Sequence, residues 1–201
     1  SEEQIFSIVK GPDFPGGGQI ISSYNQIKEI YVSGKGTIRT QARWEFEDLA
    51  RGQWRMIVYE LPHGVSSKKI LEEIDDLTNP KLKPGKKTFS SDQTQVKQLT
   101  LGKLDSVRDE SGKDAPIRLV FDPKSSRIRR EEFSNFLLAY TSLQSSTSIN
   151  LVAVSEQGKP RQFSLIELLN QWRKFRIAAT KRMSEFRRHR VKERIHIIEG
   201  R

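Results

Sequence analysis

The stretch from Ser164 to Glu199 contains neither proline nor glycine. Ser164 is a favourable helix N-cap, and Glu167 three positions later completes a capping box. Apolar side chains then recur three or four residues apart in a row that continues to Arg190, namely Leu165, Leu168, Trp172, Phe175, Ala179, Met183 and Phe186. This pattern predicts one helix of about 35 residues and about 50 Å, longer than a domain of this size is wide.

A helix of that length projects from its domain, and its apolar stripe needs a second helix to cover it. No other stripe of equal length occurs in the 201 residues. Either another chain supplies the second helix, or the sequence is cut at Arg201 before a returning helix. We favour the cut, and we expect segment 164–201 to be one truncated arm of a coiled coil.

The positive charge is concentrated on the same segment. The net charge is +10, and residues 172–201 hold eleven Lys and Arg against three Asp and Glu. A polyanion such as nucleic acid or an acidic membrane surface is the natural partner of such a segment. The alternative is a solvated helix whose acidic partner lies elsewhere.

The remaining sequence changes repeatedly between helical and strand periods. The predicted helices are 24–33, 66–77, 94–104 and 130–143, and the predicted strands are 34–48, 53–61, 106–111, 117–123 and 148–154. Strands 34–48 and 53–61 form a hairpin across the turn "LARG". The prediction is an α+β fold with a mixed or antiparallel sheet and flanking helices.

Three parts follow from this organisation. Residues 1–23 form an extended N-terminal segment with a loop that faces the partner, and residues 24–163 form the α+β domain. Residues 79–94, rich in Pro, Gly, Lys and Ser, are a partly mobile surface insertion in that domain. Residues 164–201 form the long helix.

Catalytic and cofactor motifs are weak in this sequence. There is no cysteine, the three histidines lie in separate contexts, and "PGGGQ" lacks the Lys-Ser/Thr ending of a nucleotide-binding loop. The acidic pairs Asp75–Asp76 and Asp109–Glu110 are typical of solvated surfaces. No apolar run is long enough to span a membrane, and we expect no cofactor in this chain.

Strand 34–48 offers a basic face. Lys35, Arg39 and Arg43 can project on one side, with Thr37 and Gln41 between them. Residues two apart on a strand are separated by about 6.6 Å, close to the phosphate spacing of a nucleic-acid strand. Such contacts would hold a backbone without reading its sequence. The alternative is an ordinary solvent-facing strand.

The loop "GPDFPGGGQII" (residues 11–21) ends in two isoleucines. An apolar side chain beside a DNA-binding hairpin can enter a base step and kink the duplex. Alternatively, Ile20 and Ile21 start a buried strand, and the residues alone favour this alternative.

Seven stretches, in order along the chain, resemble the part of the A subunit that follows the winged-helix domain in bacterial type IIA topoisomerases. They are "KGPDFPGGGQII", "YVSGKGTIRTQARWE", "YELPHGVSSKKILEEI", "VRDES", "IRLVFDP", "SINLVAV" and "PRQFSLIELLNQWRKFR…RRHRVKERIHIIEG". "LPH", where gyrases usually have "IPY", favours the topoisomerase IV branch.

The resemblance implies a tower domain beside bent DNA, followed by the outgoing arm of a coiled coil. It implies Ile20 as an intercalating residue, with Ile21 as the second choice. On the basic strand we expect Lys35, Arg39 and Arg43 to hold phosphates, with Gln41 as a further DNA-binding residue. Partners would be double-stranded DNA, the B subunit with its ATP and Mg²⁺, and a second copy of the A subunit, in the bacterial cytoplasm at the nucleoid.

This sequence also departs from the family. Gly16 stands where Thr is usual, and Gln41 interrupts an alternating Arg pattern. The family cleaves DNA with a Tyr that follows an Arg, whereas the four tyrosines here follow Ser23, Ile30, Val58 and Ala139. We therefore expect a segment of an enzyme that cannot cut DNA alone. The rival hypotheses are a stand-alone nucleic-acid-binding module and a coiled-coil dimerisation scaffold.

Overall fold

A computed structural model describes residues 2–81, 88–155 and 157–200. The chain forms two compact units, each assembled from segments distant in sequence. The helix unit comprises Ser1–Ile8, Asn25–Gly36 and Ser148–Arg201, and the sheet unit comprises Val9–Tyr24 and Thr37–Thr147. The predicted α+β class, with antiparallel sheets and a long C-terminal helix, is confirmed.

The helices are α1 (Glu2–Ile8), α2 (Tyr24–Ser33), α3 (Ser67–Thr78), α4 (Ser91–Lys103), α5 (Arg130–Tyr140) and α6 (Leu165–Glu199). The strands are β1 (Gln19–Ile20), β2 (Lys35–Gln41), β3 (Arg43–Asp48), β4 (Trp54–Glu60), β5 (Leu104–Asp109), β6 (Leu119–Pro123), β7 (Gln144–Asn150), β8 (Val152–Val154) and β9 (Pro160–Gln162). The strands form sheets in the orders β1-β2-β7, β3-β4-β6-β5 and β8-β9.

The sheet unit has its core on the four-stranded antiparallel sheet. Strands β3 and β4 form the predicted hairpin, and β4 and β5 both pair with β6. Helices α3 and α5 bury apolar faces because their apolar residues recur at helical spacing. The core residues are Ala42, Trp54, Met56, Val58, Leu61, Ile70, Ile74, Leu104, Leu119, Phe121, Phe133, Phe136, Leu137 and Leu143.

The predicted single strand over residues 34–48 is wrong, because the chain passes from one sheet to another at Ala42. Strand β2 belongs to the three-stranded sheet and β3 to the four-stranded sheet. The buried Ala42 donates its backbone N–H to the Leu143 carbonyl at 2.7 Å, and the β3–β4 register shifts between Arg43 and Trp44. Side-chain alternation continues through the break, so the sequence pattern does not reveal it.

The extended conformation predicted for residues 1–23 is also wrong at its start, where residues 2–8 form helix α1. Phe6 is buried, and its ring stacks on Tyr31 of α2 with centroids 6.3 Å apart. Burial of this one aromatic side chain anchors a helix whose other residues are polar or partly exposed.

The insertion predicted over residues 79–94 ends earlier than expected. Ser90 and Gln93 form a capping box, so α4 begins at Ser91. Positions 82–87 of that insertion lie outside the described residues.

Helix α6 begins as predicted, with the Ser164 side chain accepting from the Glu167 N–H and Glu167 accepting from the Ser164 N–H. Its described side chains include none that is buried. Trp172, Phe175 and Phe186 are 63, 57 and 62% exposed. A second helix against this stripe stays a prediction. The helices that the structure describes include none apolar enough over a sufficient length to cross a bilayer.

Candidate nucleic-acid interface

The glycine loop is held at both of its ends. The Phe14 ring stacks on the imidazole of His63, with centroids 4.9 Å apart. The Gly17 N–H donates to the Phe14 carbonyl at 3.0 Å, and the Gly18 N–H donates to Glu60 Oε2 at 2.7 Å. Gly17 and Gly18 have φ of 76° and 89°, a region that L side chains rarely adopt. The three glycines therefore form a defined turn that delivers the chain into β1.

Strand β1 pairs antiparallel with β2, which places the loop isoleucines beside the basic strand. Gln19 lies opposite Gln41 and Ile20 opposite Thr40. The Ile21 N–H donates to the Arg39 carbonyl at 2.9 Å, continuing the same register. Residues directly opposite each other in an antiparallel pair point to the same face of the sheet.

The two isoleucines therefore belong to different faces. Ile20 shares the face of Thr40, which is fully buried, while Ile21 shares the face of Arg39, which is exposed. Both isoleucines are half-buried. Neither lies at a free loop tip, since Ile20 is a strand residue and Ile21 continues the ladder.

Arg39 differs from the other strand arginines in its surroundings. Within the described ranges, it has no carboxylate oxygen within 4.0 Å, although its backbone N–H donates to Ser22 Oγ at 2.9 Å. The others each pair with a carboxylate: Arg43 with Glu60 at 3.3 Å, Arg55 with Glu47 at 2.5 Å, Arg161 with Glu167 at 3.8 Å, and Arg108 with Asp122. The Arg39 guanidinium is thus the strand arginine left available to an external anion.

Five of the seven carboxylates on strands β3 to β6 pair with neighbouring cations. A hydrogen bond from Arg55 lowers the pKa of Glu47, and one from Arg118 lowers the pKa of Glu110. Both carboxylates are therefore ionised at neutral pH and offset the arginine charges beside them. Strands β3 to β6 carry seven carboxylates and three arginines, so this sheet has little attraction for a polyanion.

The three-stranded sheet has the opposite character. Its strands β1, β2 and β7 contain no Asp or Glu, and their only charged residues are Lys35 and Arg39. The exposed positions of its sheet-unit part carry amides and hydroxyls as well as Arg39, namely Gln19, Thr37, Gln144 and Ser146. Guanidinium, amide and hydroxyl groups all donate to phosphate oxygens. The arrangement suits binding of a phosphate backbone and supplies no acid–base pair for bond making.

The structure places the remaining predicted contacts as follows. Gln41 lies on the Arg39 side of β2, with its Nε2 3.5 Å from Gln19 Oε1. Lys35 is exposed at the start of β2, in the helix unit. Arg43 is exposed on β3, but its ion pair with Glu60 offsets its charge.

Glu60 is the site residue that reasoning from the sequence missed. The prediction of a basic face considers one strand by itself, whereas Glu60 reaches Arg43 from the neighbouring strand as its cross-strand partner. The signal was present in "YELPH", because Glu60 closes the return strand of a predicted hairpin. Which arginine Glu60 contacts depends on the register in which the two strands pair. The local sequence pattern does not determine that register.

Comparison with known proteins shows the family to which the chain belongs. The family model for the A subunit of DNA gyrase/topoisomerase IV matches residues 1–201. The chain is 48% identical over 197 residues to the A subunit of DNA topoisomerase 4 from Neisseria gonorrhoeae, covering 98% of this chain and 26% of that protein. The A subunits of DNA topoisomerase 4 from Escherichia coli K12 and Haemophilus influenzae are 34% and 32% identical over 198 residues, each covering 98% of this chain and 23% of the relative.

These relatives carry the topoisomerase 4 name, as the resemblance in sequence predicted. The chain spans about a quarter of their length. The chain belongs to the family formed by the A subunits of DNA gyrase and topoisomerase IV.

Proposed function

We propose that the outward face of β1 and β2 holds double-stranded DNA by its phosphate backbone within the A subunit of a type II topoisomerase. The observation that carries this proposal is the state of Arg39. It is the strand arginine with no carboxylate within 4.0 Å among the described residues, and it stands on a sheet without acidic residues. Both features favour a polyanion over a protein surface of mixed charge.

The expected contacts are those of a positioning surface. Arg39 binds a phosphate, and the amides of Gln19 and Gln41 donate to neighbouring phosphate oxygens or to each other. Contacts of this kind hold the phosphate backbone and carry no sequence information directly. Binding should therefore be indifferent to sequence and should weaken steeply with salt, because it depends on release of counterions. Lys35 on the same strand stays a predicted contributor.

The activity of the whole protein belongs to the same proposal. The enzyme is an ATP-dependent type II topoisomerase that relaxes and decatenates DNA in the bacterial cytoplasm at the nucleoid. Another part of the A subunit supplies the cleaving tyrosine, the B subunit supplies ATP and Mg²⁺ sites, and a second copy of the A subunit completes the assembly. This segment grips and bends the cleaved duplex and is inactive alone.

The experiment is a salt titration of duplex binding by the full-length A subunit. Arg39→Ala should reduce the magnitude of the slope of log K against log salt by about 0.9, the value for one phosphate contact. Arg127→Ala is the matched control, because Arg127 is also exposed and lacks a carboxylate within 4.0 Å among the described residues. Equal slopes for wild type and Arg39→Ala would show that this face does not touch DNA.

Which of the two isoleucines intercalates between base pairs is tested by a separate comparison of variants. The resemblance implies Ile20, but the register favours Ile21, because Ile21 is the isoleucine on the Arg39 face. Ile21→Ala should therefore reduce DNA bending and cleavage by the full-length protein more than Ile20→Ala. If DNA bending is unchanged in both variants, neither isoleucine of this strand intercalates.

The rival hypotheses give different results in the same assays. Tight selection of one DNA or RNA sequence would favour a stand-alone binding module. Strong pairing of α6 across two copies of the chain, with no DNA affinity, would favour a dimerisation scaffold.

A further inference from the structure

One carboxylate oxygen joins the glycine loop to the basic strand. Glu60 Oε2 accepts the Gly18 N–H at 2.7 Å and lies 3.3 Å from Arg43 Nε. The space beside Gly17 is also filled by this side chain, since a Cβ built on Gly17 would stand 2.6 Å from the same oxygen. Loop, carboxylate and guanidinium form one connected group in the sheet unit.

This arrangement has two physical consequences. The hydrogen bond to Gly18 fixes the turn immediately before β1, and therefore supports the register that places Ile21 beside Arg39. The ion pair offsets the charge of Arg43, four residues beyond Arg39 along the chain. A cation already paired with a carboxylate gains less from a phosphate, because the existing pair must first be broken.

We propose that Glu60 is a positioning residue of the DNA-binding face, which holds the glycine turn in place and withholds the Arg43 charge from DNA. This inference rests on the proposed function. It assigns the backbone contact at this end of the face to Arg39 and makes Arg43 a structural partner of Glu60. The ligand concerned is a phosphodiester backbone.

The decisive variant is Glu60→Gln in the full-length A subunit. The amide oxygen of Gln can still accept the Gly18 N–H, whereas the negative charge is lost. Arg43 then becomes available to a phosphate. Duplex affinity should rise, by about two- to tenfold at low salt, and the salt slope should become steeper by about 0.9.

Two further variants separate this role from a merely structural one. In an Arg43→Ala background, Glu60→Gln should leave the salt slope unchanged, because no guanidinium is there to be released. Glu60→Ala removes the acceptor as well, so hydrogen exchange of the residue 16–21 amides should be faster in that variant than in Glu60→Gln. A purely structural role predicts no steepening of the slope in any of the three.

The outcomes also test the role of Glu60 separately from the proposed DNA binding. If Arg39→Ala lowers the slope while Glu60→Gln does not change it, the role of Glu60 is overturned and DNA binding stands. If Arg39→Ala has no effect, the proposed function itself fails. Should Glu60→Gln not fold, Arg43→Gln decides: a slope reduced by about 0.9 would show that Arg43 already contacts phosphate.

Discussion

The Phe14 ring lies on the imidazole of His63, with centroids 4.9 Å apart and ring planes 20° apart. These residues belong to the "PDFP" and "LPH" stretches, which are distant in sequence and which both carried the family resemblance. The stack joins the start of the glycine loop to the turn after β4, near the contact between Gly18 and Glu60. The loop is therefore fastened by one aromatic and one polar contact.

The aromatic contact should be measurable as a coupling between two substitutions. Phe14→Ala and His63→Ala should each increase hydrogen exchange at the Gly17 amide, which donates to the Phe14 carbonyl. The double variant should lower the free energy of opening at this amide by less than the sum of the two single variants. The difference, which is the coupling energy, should be about 0.5–1.5 kcal/mol. His63→Tyr retains a ring and should retain most of the protection. Strictly additive effects would mean that the stack contributes nothing to the loop.

The neighbouring glycines of the loop should differ sharply in their tolerance of alanine. Gly17→Ala should disrupt the turn, because φ is 76° and the new Cβ would stand 2.6 Å from Glu60 Oε2. Gly16→Ala is the matched control, since no heavy atom lies within 4 Å of a Cβ at that position. Limited proteolysis of the full-length protein should show faster cleavage in residues 11–21 for Gly17→Ala alone. Equal protection of both variants would contradict the described turn.

Gly34 should be the least replaceable glycine of the helix unit. It ends α2 with φ of 74°, and a Cβ there would lie 2.0 Å from the Phe163 carbonyl oxygen. The backbone strain and the overlap together should destabilise the unit by more than about 2 kcal/mol in Gly34→Ala. Gly102→Ala, at a helical position with open space, should be neutral or stabilising. Thermal unfolding monitored by circular dichroism would compare the two, and a Gly34→Ala melting temperature equal to wild type would count against this packing.

The first turn of α6 should lose stability in acid. The backbone N–H of Ser164 holds the pKa of Glu167 below its usual 4.5, since the hydrogen bond favours the carboxylate. A lowered folded-state pKa contributes stability that is fully present above the ordinary pKa and is lost as pH falls through the lowered one. Amide exchange in residues 165–168 should therefore accelerate below about pH 4.5 relative to the helix centre. In Glu167→Gln this acceleration should disappear; if it persists, another group is responsible.

Much of the fold follows from local sequence. The capping box at Ser164, the uninterrupted stripe of α6 and the apolar spacing of α3 and α5 each act within a few turns of helix, so the chain near them is sufficient to predict them. The β3–β4 hairpin is similarly local. Helix α1 escaped prediction because it depends on Phe6 meeting Tyr31, a contact between distant parts of the sequence.

The basic strand shows where the local sequence pattern no longer predicts the structure. Alternation alone predicted Arg39 and Arg43 as equivalent phosphate contacts, and it continued unbroken through Ala42. Tertiary structure separated them: Ala42 takes the chain into a second sheet, where the register brings Glu60 to Arg43 and leaves Arg39 without a carboxylate among the described residues. Sequence by itself determined which residues are charged, which are apolar and which segments form helices. Strand pairing decided which charges remain available to a partner, because it joins residues whose separation along the chain carries no periodic signal.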